Sequence, residues 1–148
     1  LPSAMGVKFA FPEADVACVT GEGSIQMCIQ ELSTCGQYGL PIKIINLNNR
    51  ALGMVKQWQD MQYGGRYSSI SYEDSLPDFV KLAESFGHVG IKVDKLSELN
   101  DAMKESFAMK DKLVFLDVLV DPDEHVYPML EAGGSMSEMR LSKNKKTF

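Results

Sequence analysis

Four apolar runs, spaced along the chain, constrain most strongly what this sequence can fold into. They lie at about 16–19, 42–47, 88–93 and 113–120. The first and last show no apolar–polar alternation, which is typical of parallel strands that are buried on both faces. Segments with helical spacing separate the runs, giving the order β-α-β-α-β-α-β. The sequence therefore predicts an α/β fold that is doubly wound, with a mainly parallel sheet and helices on both faces.

The segments between the runs carry helix signals. We expect helices over about 3–10, 24–36, 53–61, 75–86 and 97–109. Ser24 is a candidate N-cap for the second helix, and Ser75 has capping-box spacing with Asp78 for the fourth. The second helix would carry one apolar stripe, formed by Ile25, Cys28, Ile29, Leu32 and Cys35. The three cysteines of the chain are odd in number and lack CxxC spacing, so we interpret Cys18, Cys28 and Cys35 as buried thiols.

Composition and net charge limit the classes of protein to which this chain can belong. A chain of 148 residues with 45% hydrophobic content suits one soluble domain with a sizeable core, and we count a single domain over residues 1–148. A net charge of -5 gives no electrostatic footprint for nucleic acid, and Lys143, Lys145 and Lys146 are interpreted as a solvated tail. No apolar run approaches the length that spans a bilayer, and no signal peptide is evident. We expect a cytoplasmic protein without nucleic-acid or membrane partners.

The two ends of the chain carry further expectations. The chain begins at Leu1 without an initiating methionine and runs at once into helix-like sequence, which suggests a fragment of a longer enzyme. Residues from about 122 to 148 lack periodicity. This tail is either an active-site flap over the sheet edge or a disordered end, and the sequence favours neither.

The candidate functional residues follow the first two strands. Gly21-Glu22-Gly23-Ser24 comes after the first apolar run, and Asn48-Asn49 ends the second. Because parallel strands end at the same edge of a sheet, Glu22 and Asn49 should lie close together. A carboxylate and an amide oxygen beside a helix N-terminus suit a hard cation that carries phosphate.

Three interpretations of the Gly-Glu-Gly turn compete. Many α/β crossovers simply use glycine where a strand meets a helix. A dinucleotide fingerprint is disfavoured because the third glycine of G-x-G-x-x-G is missing after Gly23. The third interpretation is a diphosphate held through a divalent metal, with Glu22 and Asn49 as ligands. Beyond this turn, Met54, Val55, Trp58 and Met61 would form an apolar wall along one side of a helix, and such a stripe is more often core than pocket.

Several motifs together resemble the catalytic large subunit of acetolactate synthase (acetohydroxyacid synthase). They are Gly21-Glu22-Gly23-Ser24-Ile25-Gln26-Met27, Asn48-Asn49-Arg50-Ala51-Leu52-Gly53-Met54-Val55, Trp58-Gln59-Asp60-Met61 and Glu124-His125-Val126-Tyr127-Pro128-Met129. The Gly-acid-Gly and Asn-Asn pair resembles the thiamine diphosphate motif of thiamine-dependent enzymes. The resemblance covers nearly the whole chain, as the C-terminal cofactor-binding domain with the thiamine diphosphate-binding fold.

The resemblance implies a set of site residues. Mg²⁺ would be bound by Glu22, the side chain of Asn49 and the backbone carbonyl of Ala51. Thiamine diphosphate would contact Gly21, Gly23, Ser24, Met27, Asn49, Leu52, Gly53 and Met54, several of them through backbone amides around the diphosphate. Trp58, with Met54 and Val55, would line the substrate channel. In this family the tryptophan favours 2-oxobutanoate over a second pyruvate as acceptor, and it helps to form the sulfonylurea-type inhibitor site.

One residue departs from the family pattern. Aspartate is commoner at the position of Glu22, and glutamate adds one methylene, roughly 1.5 Å of reach. Since Mg²⁺ demands near-ideal octahedral geometry, the metal affinity and the competition from Mn²⁺ or Ca²⁺ are the properties that this departure affects.

The activity that the resemblance implies is the condensation of pyruvate with pyruvate or 2-oxobutanoate, with release of carbon dioxide, in the biosynthesis of isoleucine, valine and leucine. No catalytic residue is expected in this chain, because the family's catalytic glutamate belongs to the N-terminal domain of a neighbouring subunit. FAD would bind a middle domain. A homodimer or higher oligomer and a small regulatory subunit are the implied partners, and the chain alone should be inactive.

Two alternatives stay open. The chain could belong to another thiamine-dependent 2-oxo acid decarboxylase, oxidase or carboligase, or it could be a non-catalytic interaction module. His88 and His125 are interpreted as structural residues in either case.

Overall fold

The fold was analysed in a computed structural model, which describes residues 1–72 and 74–142 together with the backbone of 145–146. The chain divides into two compact units. The first unit comprises Leu1–Ala51 and Tyr72–Val120, and the second comprises Leu52–Ser71 and Asp121–Phe148. The single domain expected over residues 1–148 stays a prediction. No helix among the described residues is long and apolar enough to cross a membrane.

A four-stranded parallel sheet forms the centre of the first unit. Its strands are β1 (Ala17–Gly21), β2 (Lys43–Asn48), β3 (Val89–Val93) and β4 (Val114–Leu119). They are arranged in the order β1-β2-β4-β3, and all three pairings are parallel. The predicted α/β class with a mainly parallel sheet is confirmed. Each apolar run overlaps the strand assigned to it, and β1 and β2 extend past the C-terminal ends of their runs.

Six α-helices occur in the described chain. They are α1 (Pro2–Ala10), α2 (Glu22–Gln26), α3 (Glu31–Gln37), α4 (Gly53–Gln62), α5 (Phe79–Ser85) and α6 (Leu96–Ala108). All of them except α4 belong to the first unit. Three of the five predicted helices have the bounds that periodicity indicated to within one residue; the other two differ for identifiable reasons.

Helices cover both faces of the sheet, which makes the fold doubly wound. On one face, Ile44 and Phe115 of the sheet pack with Leu32 of α3 and Phe79 of α5. On the other face, a second core joins Ala102 of α6 to the strand residues Val93, Val114, Leu116 and Val118. The part of that second face that β1 and β2 contribute is more open, since Val19 is 64% exposed and Leu47 is 43% exposed.

The helix predicted from Ser24 to Gly36 is interrupted. It begins two residues earlier, at Glu22, with Gly21 in extended conformation at the N-cap, so the prediction of Ser24 as the N-cap is wrong. After Gln26 the chain makes tight i→i+3 bonds, such as Cys28 N–H to the Ile25 carbonyl at 3.0 Å, before α3 begins. The apolar stripe continues across the interruption, because Ile25, Leu32 and Cys35 are buried while Cys28 and Ile29 pack against the same core.

The capping box predicted at Ser75 is also wrong, and Asp78 is the N-cap of α5. The Asp78 carboxylate accepts hydrogen bonds from the amides of Val80 and Lys81, both at 3.1 Å. Pro77 explains the shift, because a proline disfavours helical conformation at the residue before it, Leu76.

The prediction of buried thiols holds for one of the three cysteines. Cys35 is buried and its burial raises the pKa of its thiol to about 11, whereas Cys18 and Cys28 are half-buried; all three are free.

The tail predicted to be irregular contains a 3-10 helix, Met136–Glu138, and the short antiparallel strands β5 (Arg140–Ser142) and β6 (Lys145–Lys146). Lys143 and the side chains of Lys145 and Lys146 lie outside the described residues, so the solvated lysine tail stays a prediction.

Candidate functional site

Two strand ends bring the central candidate residues together. Gly21 ends β1 and is the register partner of Leu47, close to the end of β2. Glu22 begins α2, and its carboxylate reaches the loop that follows β2. Oε2 of Glu22 accepts a hydrogen bond from the Asn49 amide at 3.3 Å, and Oε1 accepts one from the Ala51 amide at 2.9 Å. The predicted proximity of Glu22 and Asn49 is confirmed.

The loop from Asn48 to Ala51 is shaped by its two asparagine side chains. Oδ1 of Asn48 accepts from the Arg50 amide at 3.2 Å, and Oδ1 of Asn49 accepts from the Ala51 amide at 3.2 Å. Arg50 adopts the left-handed conformation, with φ 58. Asparagine side chains commonly hydrogen-bond the backbone two residues on, so the pair is suited to a tight turn. The turn directs the amides of Asn49 and Ala51 toward the same carboxylate.

Burial dominates the electrostatics of Glu22. The residue is 1% exposed, and burial raises the pKa of its carboxyl, while hydrogen bonds from its own amide and those of Ala51 and Asn49 act in the opposite direction. The nearby charge of Asp117 raises the pKa further. A cation beside the carboxylate would offset the unfavourable burial of its charge.

The donor set at this position consists of oxygen atoms. Within the described residues, no group of three or more His, Cys, Asp or Glu side chains is arranged to hold a metal. The available ligands are instead the carboxylate of Glu22, the amide oxygen of Asn49 and the carbonyl of Ala51. Mg²⁺ prefers such hard oxygen ligands and is commonly bound through one or two carboxylates and substrate phosphates. The residues present therefore fit a magnesium ion that carries a diphosphate.

A second buried polar group was missed by sequence reasoning. Oδ1 of Asp117 accepts from the side-chain amides of Asn46 at 2.8 Å and Asn48 at 3.1 Å. Burial raises the pKa of the Asp117 carboxyl. Within the described structure Oδ1 of Asn46 is buried without a hydrogen-bond partner. The signal in the sequence was a polar residue, Asn46 or Asp117, inside each of two mainly apolar runs.

A cavity of about 420 Å³ lies beside this polar group. Its lining includes Asn48, Arg50, Asp78, Lys92 and Asp117. Because Asn48 ends β2 and Asp117 lies in β4, the cavity is at the carboxyl edge of the sheet, where open α/β sheets bind ligands.

The second unit contains α4, which confirms the predicted helix at 53–61. Its apolar side chains are not the buried ones: Met54 is 50% exposed and Val55 is 44% exposed, while Trp58 and Met61 are half-buried. Met54 and Val55 are therefore not core residues, and their assignment to a substrate channel stays a prediction. A polar pair, Lys56 and Gln57, forms the buried side of the helix instead.

The amides at the start of α4 differ in whether they have a hydrogen-bond partner. The Leu52 amide already donates to the Ile70 carbonyl at 2.9 Å, and the first intrahelical bond runs from the Lys56 amide to the Leu52 carbonyl at 2.8 Å. The amides between these two residues belong to the first turn, where helices leave N–H groups without intrahelical partners.

The remaining predicted site residues are placed as follows. Gly23 and Ser24 lie in the first turn of α2, and Met27, which follows that helix, is 81% exposed. The predicted contacts thus divide between the units, with Gly21, Glu22, Gly23, Ser24, Met27, Asn49 and Ala51 in the first and Leu52, Gly53, Met54, Val55 and Trp58 in the second. Their roles as ligands or contacts stay predictions. His88 has a structural place, since its Nε2 lies 2.7 Å from the Leu32 carbonyl.

Three curated proteins similar to this chain are named acetolactate synthases or their large subunits. The chain is 63% identical over 142 residues to the acetolactate synthase large subunit of Haemophilus influenzae, covering 96% of this chain and 25% of that protein. It is 60% identical over 149 residues to the acetolactate synthase isozyme 3 large subunit of Escherichia coli, covering 99% and 26%. An acetolactate synthase of Mycobacterium leprae is 41% identical over 146 residues, covering 97% and 23%. The chain thus spans about a quarter of the length of these relatives.

A family model agrees with these similarities. The model described as "Thiamine pyrophosphate enzyme, C-terminal TPP binding domain" matches residues 1–118. This range includes β1 to β3, all of β4 except Leu119, Glu22 and the loop after β2. The chain therefore belongs to the family of C-terminal thiamine pyrophosphate-binding domains of thiamine pyrophosphate enzymes.

Proposed function

We propose that this chain is the thiamine diphosphate- and magnesium-binding domain of an acetolactate synthase, and that it forms part of a longer enzyme. That enzyme condenses pyruvate with pyruvate or 2-oxobutanoate and releases carbon dioxide, in the biosynthesis of branched-chain amino acids. The observation that carries the proposal is the buried Glu22 carboxylate held against the loop from Asn49 to Ala51. The names of the similar proteins support an acetolactate synthase, and the sequence resemblance supplies the substrates of the proposed reaction.

The metal site would consist of Glu22, the side-chain oxygen of Asn49 and the carbonyl of Ala51. Each carboxylate oxygen of Glu22 accepts one amide hydrogen bond from the loop, and a carboxylate oxygen has a further lone pair for a cation. The longer side chain in place of the usual aspartate reaches this loop from the first residue of α2. The relative affinities of this proposed site for Mg²⁺, Mn²⁺ and Ca²⁺ are to be measured.

The charged end of the cofactor would be held by this chain. Backbone amides of Gly23 and Ser24, together with those of Gly53 and Met54, would face the diphosphate. The resemblance also assigns Gly21 and Leu52 to this site, but the amide of Leu52 is bonded to Ile70, so Leu52 would contribute through other atoms. When bound, thiamine diphosphate supplies the nucleophilic carbon and the electron sink for decarboxylation and carbon–carbon bond formation.

Exposed apolar side chains would serve the organic parts of the ligands. Met27 and Met54 are exposed and would pack near the cofactor rings. Met54, Val55 and the half-buried Trp58 would line the substrate channel. Their exposure in a helix whose buried side is polar supports this assignment, because an exposed apolar row beside polar residues often marks a binding surface.

The rest of the enzyme would supply what this chain lacks. The proposal places the catalytic glutamate on another domain of a neighbouring subunit and FAD on a middle domain. It further includes a homodimer or higher oligomer of the catalytic subunit, a small regulatory subunit and a location in the cytoplasm.

The test is an assay of the full-length protein with pyruvate, thiamine diphosphate, Mg²⁺ and FAD. Acetolactate should form, and 2-oxobutanoate added as a second acceptor should divert the product. Acetaldehyde or acetyl phosphate as the product would keep the thiamine-binding role but overturn the synthase activity. A protein that binds no thiamine diphosphate in the presence of Mg²⁺ would instead favour an interaction module.

A further inference from the structure

The buried side of α4 is bound by the segment at 123–126. Lys56, Gln57 and Asp60 lie on one side of the helix, and they contact Asp123, Val126 and His125, in that order. We call these six residues the clasp. All of them belong to the second unit.

Gln57 makes the most specific contact of the clasp. Its Nε2 donates to the Val126 carbonyl at 2.9 Å, and its Oε1 accepts from the Val126 amide at 3.0 Å. The side-chain amide thus satisfies both polar groups of one backbone residue, as a neighbouring strand would. Nε2 also lies 2.9 Å from Sδ of Met129. Gln57 is 1% exposed, so losing the bond from the Val126 amide would leave its buried Oε1 unpaired, which costs roughly 1–3 kcal/mol.

The other polar contacts of the clasp lie on the same side of the helix. Nζ of Lys56 lies 2.6 Å from Oδ1 of Asp123 and 3.2 Å from Oδ2 of Asp60. Nε2 of His125 lies 2.9 Å from Oδ2 of Asp60. Tyr67 connects Asp60 and Lys56, because its hydroxyl donates to Asp60 and accepts from Lys56 at 3.2 Å.

These contacts fix how α4 is rotated about its own axis. Successive residues of an α-helix are turned by about 100°, so residues 56, 57 and 60 share one side, while Met54, Trp58 and Met61 share another. Contacts at Gln57 and at Asp60 hold the helix at two heights, one turn apart. A helix held in this way cannot turn Trp58 without breaking buried polar contacts.

We propose that the clasp is a specificity device, in which Gln57 acts as a positioning residue that sets the direction of Trp58 and thereby the choice of acceptor 2-oxo acid. The inference rests on the proposed function, which gives Trp58 a place in the substrate channel. Gln57 does not touch the acceptor; it acts through the rotation of α4. The segment at 123–126 is accordingly part of the acceptor site's support, although it is remote from it in sequence.

The test compares Gln57→Glu and Gln57→Met in the full-length enzyme with Gln62→Ala, an exposed glutamine of the same helix. Glutamate keeps the acceptor for the Val126 amide but cannot donate to the carbonyl, and methionine keeps the length without either bond. The measurement is the ratio of the products formed from 2-oxobutanoate and from a second pyruvate, at fixed concentrations of both. Both Gln57 variants should lower the preference for 2-oxobutanoate by about tenfold, since misplacement by about 1 Å can cost ~100-fold in rate. Gln62→Ala should leave it unchanged.

A double variant separates positioning from general damage. Because Gln57 acts through Trp58, Trp58→Ala combined with Gln57→Met should show the product ratio of Trp58→Ala alone. A Gln57→Met enzyme that slows both products equally, with an unchanged ratio, overturns the inference and leaves the proposed function intact. If Gln57→Glu does not fold, the methionine variant decides. A wild-type enzyme that forms no acetolactate overturns the proposed function and this inference together.

Discussion

The Ala51 amide donates a 2.9 Å hydrogen bond to Oε1 of Glu22 across 29 residues of chain. The contact joins the start of α2 to the loop after β2, and Ala51 is itself one of the proposed metal ligands. The carboxylate and the other two ligands therefore cannot move independently of one another. Changes at Glu22 should affect the metal and the loop together.

The charge of Glu22 is the first property to test. Glu22→Gln keeps a hydrogen-bond acceptor for the loop but removes the negative charge, so the Mg²⁺-dependent affinity for thiamine diphosphate should fall roughly 100-fold, about 2.8 kcal/mol. Glu22→Asp should retain binding and change the relative affinities for Mg²⁺, Mn²⁺ and Ca²⁺. Calorimetric titration of the full-length protein with cofactor at several metal concentrations measures both effects. An unchanged magnesium requirement in Glu22→Gln would contradict the ligand role.

The chain by itself should form no acetolactate. It spans about a quarter of its relatives' length, and the proposal places the catalytic glutamate on a different domain. The measurement is a product assay of the separate chain with pyruvate, thiamine diphosphate, Mg²⁺ and FAD, beside the full-length protein as a positive control. Turnover by the separate chain would show that the catalytic group lies within these 148 residues.

Trp58→Ala should reduce the preference for 2-oxobutanoate over pyruvate as acceptor. The two acceptors differ by one methylene, and an apolar pocket distinguishes such a difference by about 1–3 kcal/mol, or roughly 10–200-fold. We expect a loss of about tenfold, with the reaction between two pyruvate molecules retained. Competition between the acceptors in the full-length enzyme measures the loss. If the preference for 2-oxobutanoate is the same in Trp58→Ala as in the wild-type enzyme, Trp58 does not line the substrate channel.

Gly90 should tolerate no side chain. A Cβ at Gly90 would lie 2.7 Å from Cα and 2.8 Å from the carbonyl oxygen of Val80, which are backbone atoms of α5. Gly90→Ala should therefore separate α5 from β3 and destabilise the first unit by about 1–3 kcal/mol. Gly6→Ala is the matched control, because nothing lies within 4 Å of its Cβ position in α1, and it should stabilise slightly. Hydrogen exchange of the β3 and β4 amides in the full-length protein gives the comparison.

Asp117 gives a prediction for pH dependence. Its pKa is raised in the folded state by burial, so the folded protein binds the proton more tightly than the unfolded chain does. Stability should therefore increase as the pH falls from the raised pKa toward the ordinary value of 3.8, and it should be lower above that window. Hydrogen exchange in β2 and β4 over this pH range measures the change. A stability that falls through the same window would contradict the sign.

Two substitutions separate the charge of Asp117 from its hydrogen bonds. Asp117→Asn keeps an acceptor for Asn46 and Asn48 and should lose this component of the pH dependence, with stability at neutral pH within about 1 kcal/mol of wild type. Asp117→Leu leaves two buried donors unpaired and should destabilise by roughly 2–4 kcal/mol. Similar stability of the two variants would show that these hydrogen bonds contribute little.

The features that sequence predicted well depend on local pattern and on topology. Mainly apolar runs located β1 to β4, because the strands of a parallel sheet covered by helices carry few polar side chains. The proximity of Glu22 and Asn49 followed from parallel pairing alone. Neither required knowledge of side-chain packing.

The features that sequence missed depend on partners far along the chain. The buried side of α4 could not be identified, because Lys56 meets Asp123 across 67 residues and Gln57 meets Val126 across 69. Periodicity alone shows that the apolar row shares one side of α4, but the long-range polar contacts determine that a different side is buried. The same holds for Asn46 and Asp117, which are 71 residues apart.

The pairing of Asn46 with Asp117 also limits how the sheet can assemble. The two residues are register partners on neighbouring strands, with apolar residues before and after each of them. A slip of one residue between β2 and β4 would bring Asp117 opposite Ile45 or Leu47. The Asp117 carboxylate would then lie beside an apolar side chain and lose its hydrogen bond from Asn46. Misaligned sheets are therefore disfavoured during folding, and a wholly apolar pair at these positions would remove that protection against slippage.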